Sequence, residues 1–159
     1  MIIVSDSGPI ISFARASHLE LLRQLFQEII IPEAVYEEIA IIGSGRAGAK
    51  EVISGKWIKK RKIENRLGIE QLPAMLGLGE KEAIVLAQEL DAALLIDDRK
   101  AREAAEENGV SCFGSLRVLK EAKDKKLIEA IKPIGDELRE KGLRIDNSLY
   151  QRFLQEVGE

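Results

Sequence analysis

GLGEKEAIVLAQELDAALLIDD, the stretch from Gly77 to Asp98, decides the fold. It reads as a turn, a helix opening on acids, a short strand, and two aspartates at the strand's end. Gly77 and Gly79 punctuate the turn, and Glu80 and Glu82 fall in the first helical turn, where carboxylates suit the helix dipole. Ala83 to Ala87 drive the helix into a core, and Ala92-Ala93-Leu94-Leu95-Ile96 is an apolar run of strand length. Parallel α/β sheets place their ligand chemistry at the carboxyl ends of the strands. Asp97 and Asp98 sit there.

The amino terminus repeats the theme. Ile2-Ile3-Val4 reads as a buried strand, Ser5-Asp6-Ser7-Gly8-Pro9 breaks it, and an apolar helix resumes at Ile10. Asp6 is therefore either a helix N-cap, with Ser5 and Ser7 as competing caps, or a functional acid at a strand end. Ser17 and Glu20 fit a capping box for a helix carrying Leu19, Leu21, Leu22, Leu25 and Phe26, with His18 on its surface. Ile29-Ile30-Ile31 is the next strand, closed by Pro32 at a helix's first position.

Helical winding sorts the glutamates. Over Glu33 to Ile42, at ~100° per residue, Ala34, Val35, Ile39 and Ile42 form the apolar stripe and Glu37 faces away. Glu38 falls within the stripe, where a carboxylate costs several kcal/mol unless an arginine or a metal compensates it. In the central helix, Glu80 heads the stripe of Ala83, Ile84 and Ala87, whereas Glu82 sits on its polar flank.

Beyond Asp98, a helix from Arg99 to Glu107 closes at Asn108-Gly109, and Val110 to Phe113 is a short strand. Gly114-Ser115 opens another helix. Lys125–Ile131 and Pro133–Lys141 read as two consecutive helices divided by Pro133, and Asp146 caps a last amphipathic helix. Strands alternating with helices predict an α/β domain with a mainly parallel sheet, one domain over 1–159 with the helices from about 125 onward packed on it.

Composition narrows the chemistry. Twenty-four basic against twenty-seven acidic residues give a formal charge of −3, so no global basic field announces nucleic acid. The basic segment Lys56-Trp57-Ile58-Lys59-Lys60-Arg61-Lys62 suits a phosphate-tracking edge or a lysine-protected edge strand. One cysteine and one histidine exclude thiolate and multi-histidine metal sites. No signal peptide or membrane span is legible, and a cytoplasmic protein is expected. Neither GxGxxG nor GxxxxGK[ST] occurs.

What remains is a set of carboxylates. Two such charges 4 Å apart repel by about 4 kcal/mol at an effective dielectric of 20, and hard Mg²⁺ or Mn²⁺ is the natural counterion. Such ions suit phosphodiester hydrolysis.

Four elements carry a family likeness: Ile3 to Ile11, Ile31 to Ile39, Gly79 to Ile84 and Leu94 to Arg99. In this order and spacing the chain resembles the PIN domain, most closely its VapC-like prokaryotic branch. The resemblance implies a three-layer α/β/α sandwich and a metal-dependent endoribonuclease leaving a 5′-phosphate and a 3′-hydroxyl. It assigns Asp6, Glu38, Glu80 and either Asp97 or Asp98 to catalysis and to Mg²⁺ or Mn²⁺. It also implies RNA as substrate, an antitoxin protein as partner and a homodimer. Two other classes stand beside it. A phosphatase using Asp6 is disfavoured because residue 8 is Gly, not the second Asp of a DxD pair. A catalytically inactive PIN-like module binding RNA or protein would keep the same fold.

Overall fold

Short apolar runs build the sheet. In the computed structural model, which describes residues 2–159, β1 (Ile2–Ser5), β2 (Glu28–Pro32), β3 (Ile58–Arg61), β4 (Ala93–Leu95) and β5 (Cys112–Phe113) pair in the order β3-β2-β1-β4-β5. Each pairing is parallel. Connecting them are α1 (Ser7–Arg15), α2 (Leu19–Leu25), α3 (Glu33–Tyr36), α4 (Ala49–Ser54) and α5 (Arg66–Glu70). The longest helix, α6 (Leu78–Leu90), is followed by α7 (Arg99–Glu107), α8 (Ser115–Asp124), α9 (Lys132–Glu140) and α10 (Asn147–Glu156).

Strand alternation makes three layers. Ile3, Ile29, Ile31 and Leu95 face a core shared with Phe13, Leu22, Val118, Leu138, Tyr150 and Leu154 of α1, α2 and α8–α10. Val4, Ile30, Leu94 and Ile96 face the opposite core, built with Ile84, Val85 and Ala101 of α6 and α7. This is the expected α/β/α sandwich. The strand order reverses between β1 and β4, and ligands of open α/β sheets bind outside the carboxyl ends at such a switch point. Asp6 follows β1 directly, and Asp97 follows β4 after Ile96.

Local expectations fail where the backbone departs from a regular helix. Ser17 takes a left-handed φ of 61° and ends α1, so the Ser17–Glu20 capping box does not form. His18 is the N-cap of α2, and its Nε2 lies 2.7 Å from Glu137 Oε2 of α9. Residues 125–131 are not helical: Lys126 turns left-handed at φ 61°, and Leu127 N–H caps back onto the Ala122 carbonyl at 2.8 Å. Pro133 lies inside the first turn of α9, where its missing N–H is not needed.

The helix expected from Glu33 to Ile42 changes character halfway. Glu37–Ile42 is π-helical, with Gly43 N–H reaching the Glu38 carbonyl at 3.0 Å. The wider turn breaks the winding, so Ile42 leaves the apolar stripe and is 76% exposed.

Candidate active site

Asp6 occupies the N-cap position of α1 without capping it: its side chain makes no capping bond, and its buried Oδ1 has no hydrogen-bond partner. The Asp6 N–H donates to the Leu95 carbonyl at 3.0 Å, extending the β1–β4 ladder and setting Asp6 beside the strand that delivers Asp97. Burial, opposed by the Ser7 amide and reinforced by the charges of Glu80, Glu38 and Asp97, pushes its pKa up to about 7.

Glu38 is delivered by the π-helical segment. Its Oε2 accepts a 2.7 Å hydrogen bond from Ser7 Oγ, one residue beyond Asp6. The carboxylate rests against Gly79 in the first turn of α6, where a Cβ would stand 2.9 Å from Glu38 Cδ and 3.2 Å from Oε2. Gly79 is thus a helical residue whose missing side chain makes room for Glu38, and not the turn punctuation read from the sequence. Among the described residues no arginine pairs with Glu38; its partner is a hydroxyl.

Glu80 opens α6 two residues after its start. Its Oε1 accepts from the Gly77 N–H at 3.0 Å. Burial raises its pKa, the Gly77 amide opposes, and the charges of Asp98 and Glu38 together with a hydrogen bond to Asp98 add to the rise.

Glu82 contradicts the winding. It is not on a polar flank but 4% exposed, with Oε1 accepting from Ala34 N–H at 3.0 Å and Oε2 from Arg66 Nη1 at 3.1 Å. The reason is that α6 is buried on two sides, by the sheet and by α3, so its inward surface is wider than one stripe. Pro32 cannot cap α3 with a side chain, and Glu82 does so from another helix.

The two adjacent aspartates divide. Asp97 is gripped by the start of α8, its Oδ1 accepting from Ser115 N–H at 2.8 Å and its Oδ2 from Ser115 Oγ at 2.5 Å. Burial raises the Asp97 pKa, with both Ser115 bonds and the Arg102 charge opposing. Asp98 caps α7, accepting from Ala101 N–H at 3.0 Å, and faces Glu80. Asp97 thus acts on Asp6, and Asp98 on Glu80.

The donor set is all oxygen, as hard cations prefer. The orphaned Asp6 Oδ1 is a donor waiting for a partner, and like charges in mutual range give a cation reason to bind. As the side chains stand, no three acids, histidines or cysteines among the described residues close around one point. Glu38 and Glu80 have the longer side chains of the set, held here by the Ser7 hydroxyl and the Gly77 N–H respectively. Sequence reasoning does not single out Ser7, Gly79, Glu82 or Ser115 as supports of this site. Only Ser115 carries a signal, since Gly114-Ser115 follows β5 much as Asp6-Ser7 follows β1.

Fold and site together define a doubly wound α/β/α domain with an acidic centre at its switch point. Residues 2–159 match the family model described as a PIN domain (DUF3368), and the chain belongs to the PIN-domain family. PIN domains are in general metal-dependent nucleases. The fold is similar to that of a PilT N-terminus domain protein from the hyperthermophilic archaeon Sulfolobus solfataricus, with a TM-score of 0.56 and 17% identity over 92% of this chain and 98% of that one. Among curated proteins none matches the chain. Among the described residues no helix is long and apolar enough to cross a membrane.

Proposed function

We propose that this chain is a divalent-metal-dependent endoribonuclease. One observation carries the reading: Asp6 stands where a helix cap belongs, is buried, and leaves Oδ1 without a partner. An unpaired buried oxygen costs about 1–3 kcal/mol, more if charged, and a cation removes that cost.

Asp6, Glu38, Glu80 and Asp97 or Asp98 would hold Mg²⁺ or Mn²⁺. When bound, such an ion neutralises the carboxylates, lowers the pKa of water and stabilises charge on a phosphodiester's oxygens. The chain's own residues supply the positions. Ser7 holds the Glu38 carboxylate, Ser115 fixes both oxygens of Asp97, and Gly79 lets Glu38 approach the start of α6. The helix N-termini at α1 and α6 present partial positive charge to the same region. Asp98 accepts the cap bond of α7 through Oδ2 and stands beside Glu80, and Asp97 stands beside Asp6.

The further reading, a cytoplasmic toxin-type nuclease that forms a homodimer and is held by an antitoxin protein, rests on the VapC-like likeness of residues 3–11, 31–39, 79–84 and 94–99. The test of the core proposal is an incubation with unstructured RNA. Cleavage that needs Mn²⁺ or Mg²⁺ and leaves 5′-phosphates supports it. RNA binding without cleavage at any metal concentration supports the inactive-module reading instead.

A further inference from the structure

The basic segment at 56–62 contains β3, Ile58–Arg61, at the edge of the sheet. The edge-strand reading is correct, yet it leaves the composition unexplained. Charged side chains, lysine above all, protect an edge; here Lys59, Lys60, Arg61 and Lys62 are consecutive and all exposed. Lys59 is neutralised by Glu28 at 2.8 Å. Among the described residues Lys60, Arg61 and Lys62 have no acidic partner within ion-pair distance.

Their place in the sheet is specific. Val4 pairs with Ile30 and Ile30 with Lys59; Pro32 pairs with Arg61. Continuing that register, Arg61 lies level with Asp6, two strands away, a span of ~10 Å at the usual strand spacing. The cations therefore gather at the carboxyl end of the sheet, beside the acidic centre. Lys60 is also oriented. Its Nζ stands 4.4 Å from the centre of the Tyr36 ring, and Tyr36 is two residues before Glu38. The aromatic face holds the ammonium in one place on the strand edge and reduces the rotamer entropy lost on binding a ligand.

We infer that Lys60, Arg61 and Lys62 form the track for the phosphates of a single-stranded RNA segment flanking the bond presented to the acidic centre. The inference rests on the nuclease reading and adds to it where the strand runs. The ridge is one β-strand wide, whereas duplex RNA is recognised across successive minor grooves and needs a broader surface. Three neighbouring cations beside an acidic, negatively charged site also separate two demands. Phosphates are attracted at the ridge, and the acids are left for the cation.

The test is fluorescence anisotropy on the whole chain in chelator, with a labelled uridine 20-mer, an RNA duplex of equal length and an oligoglutamate peptide. The ridge variant carries Lys60→Ala, Arg61→Ala and Lys62→Ala. A charge-matched control carries Lys125→Ala, Lys141→Ala and Arg152→Ala, all exposed and far along the chain from the ridge. All six side chains are on the surface, and thermal melts verify folding. The expected result is at least tenfold weaker binding of the single strand by the ridge variant only. Its salt dependence should flatten by about 2 units of slope, since each phosphate neutralised by a cation contributes ~0.7. Equal weakening in both variants, tighter binding of duplex than single strand, or preference for the peptide each overturns the inference. Those outcomes are separable from failure of the nuclease reading, which appears as absence of metal-dependent cleavage by the unmodified chain.

Discussion

The Glu38 carboxylate lies against the backbone of Gly79, with no room for a methyl group between them: a Cβ there would stand 2.9 Å from Glu38 Cδ. Glycine costs a helix about 1 kcal/mol relative to alanine, so its presence in the first turn of α6 needs a reason. The obstacle is the far end of a flexible side chain, which can rotate away. Gly79→Ala should therefore leave stability within about 1 kcal/mol of wild type, helix propensity offsetting the displacement of Glu38. Metal affinity should fall at least tenfold. Calorimetric titration with Mn²⁺ beside a thermal melt checks both, and unchanged affinity would detach Gly79 from the site.

Asp6 gives the apo protein a pH dependence with a definite sign. Its pKa is about 7 folded against an ordinary value of 3.8, so between these values the folded state holds a proton the unfolded chain has lost. Stability then falls as pH rises through that window, by up to ~4 kcal/mol, and is fullest near pH 4 as far as this group is concerned. Chelator-treated unfolding from pH 4.5 to 8 should show the fall, and Asp6→Asn should remove most of it. Saturating Mn²⁺ should restore stability at pH 8, about 2.7 kcal/mol at a hundredfold excess over Kd. A flat profile that ignores both the mutation and the metal would contradict the buried, unpartnered carboxylate.

Glu82 should behave as a structural tether. Winding from the sequence puts it on a polar flank, from which Glu82→Gln would be harmless. The structure gives it two bonds that join α6, α3 and α5. Glu82→Ala strands the buried Ala34 N–H and should cost about 1–3 kcal/mol. Glu82→Gln, whose carbonyl still accepts from Ala34, should cost less, since Arg66 is largely exposed and its ion pair is screened. Urea unfolding separates the two. By contrast Glu38→Gln and Glu80→Gln should abolish cleavage while the exposed Glu37→Gln leaves it.

Ser115→Ala removes one bond to Asp97 and leaves the backbone bond. With a stabilising donor gone, the Asp97 pKa should rise further, and the carboxylate should become mobile. Cleavage at pH 6 should drop more than at pH 8, because a higher pKa protonates Asp97 first at the lower value. An equal loss at both would assign Ser115 to packing alone.

These corrections show what a sequence makes legible. Asp6 is readable because an apolar run stops abruptly at Ser5-Asp6-Ser7, and the strand–break–helix pattern fixes where an acid points. Asp97 and Asp98 follow from the same pattern at β4. Winding still places Glu38 and Ile39 because they open the π-helical segment, before its wider turn has drifted far; by Ile42 the drift is enough to misplace the stripe. Glu82 is misread because a helical wheel assumes one buried side, and α6 has two. Ser7, Gly79 and Ser115 depend on pairings with residues far along the chain, which no local pattern encodes.

The most direct measurement compares wild type and Asp6→Asn on matched preparations, scoring cleavage of unstructured RNA with and without Mn²⁺. Asn accepts a cap bond nearly as well as Asp, so a capping role would survive the exchange. A metal-holding role would not, because the charge is lost. The expected result is Mn²⁺-dependent cleavage by wild type, none by Asp6→Asn, and apo stability at neutral pH equal or higher in the variant. Cleavage by Asp6→Asn at the wild-type rate, or wild-type cleavage indifferent to chelator, would contradict the account at its centre.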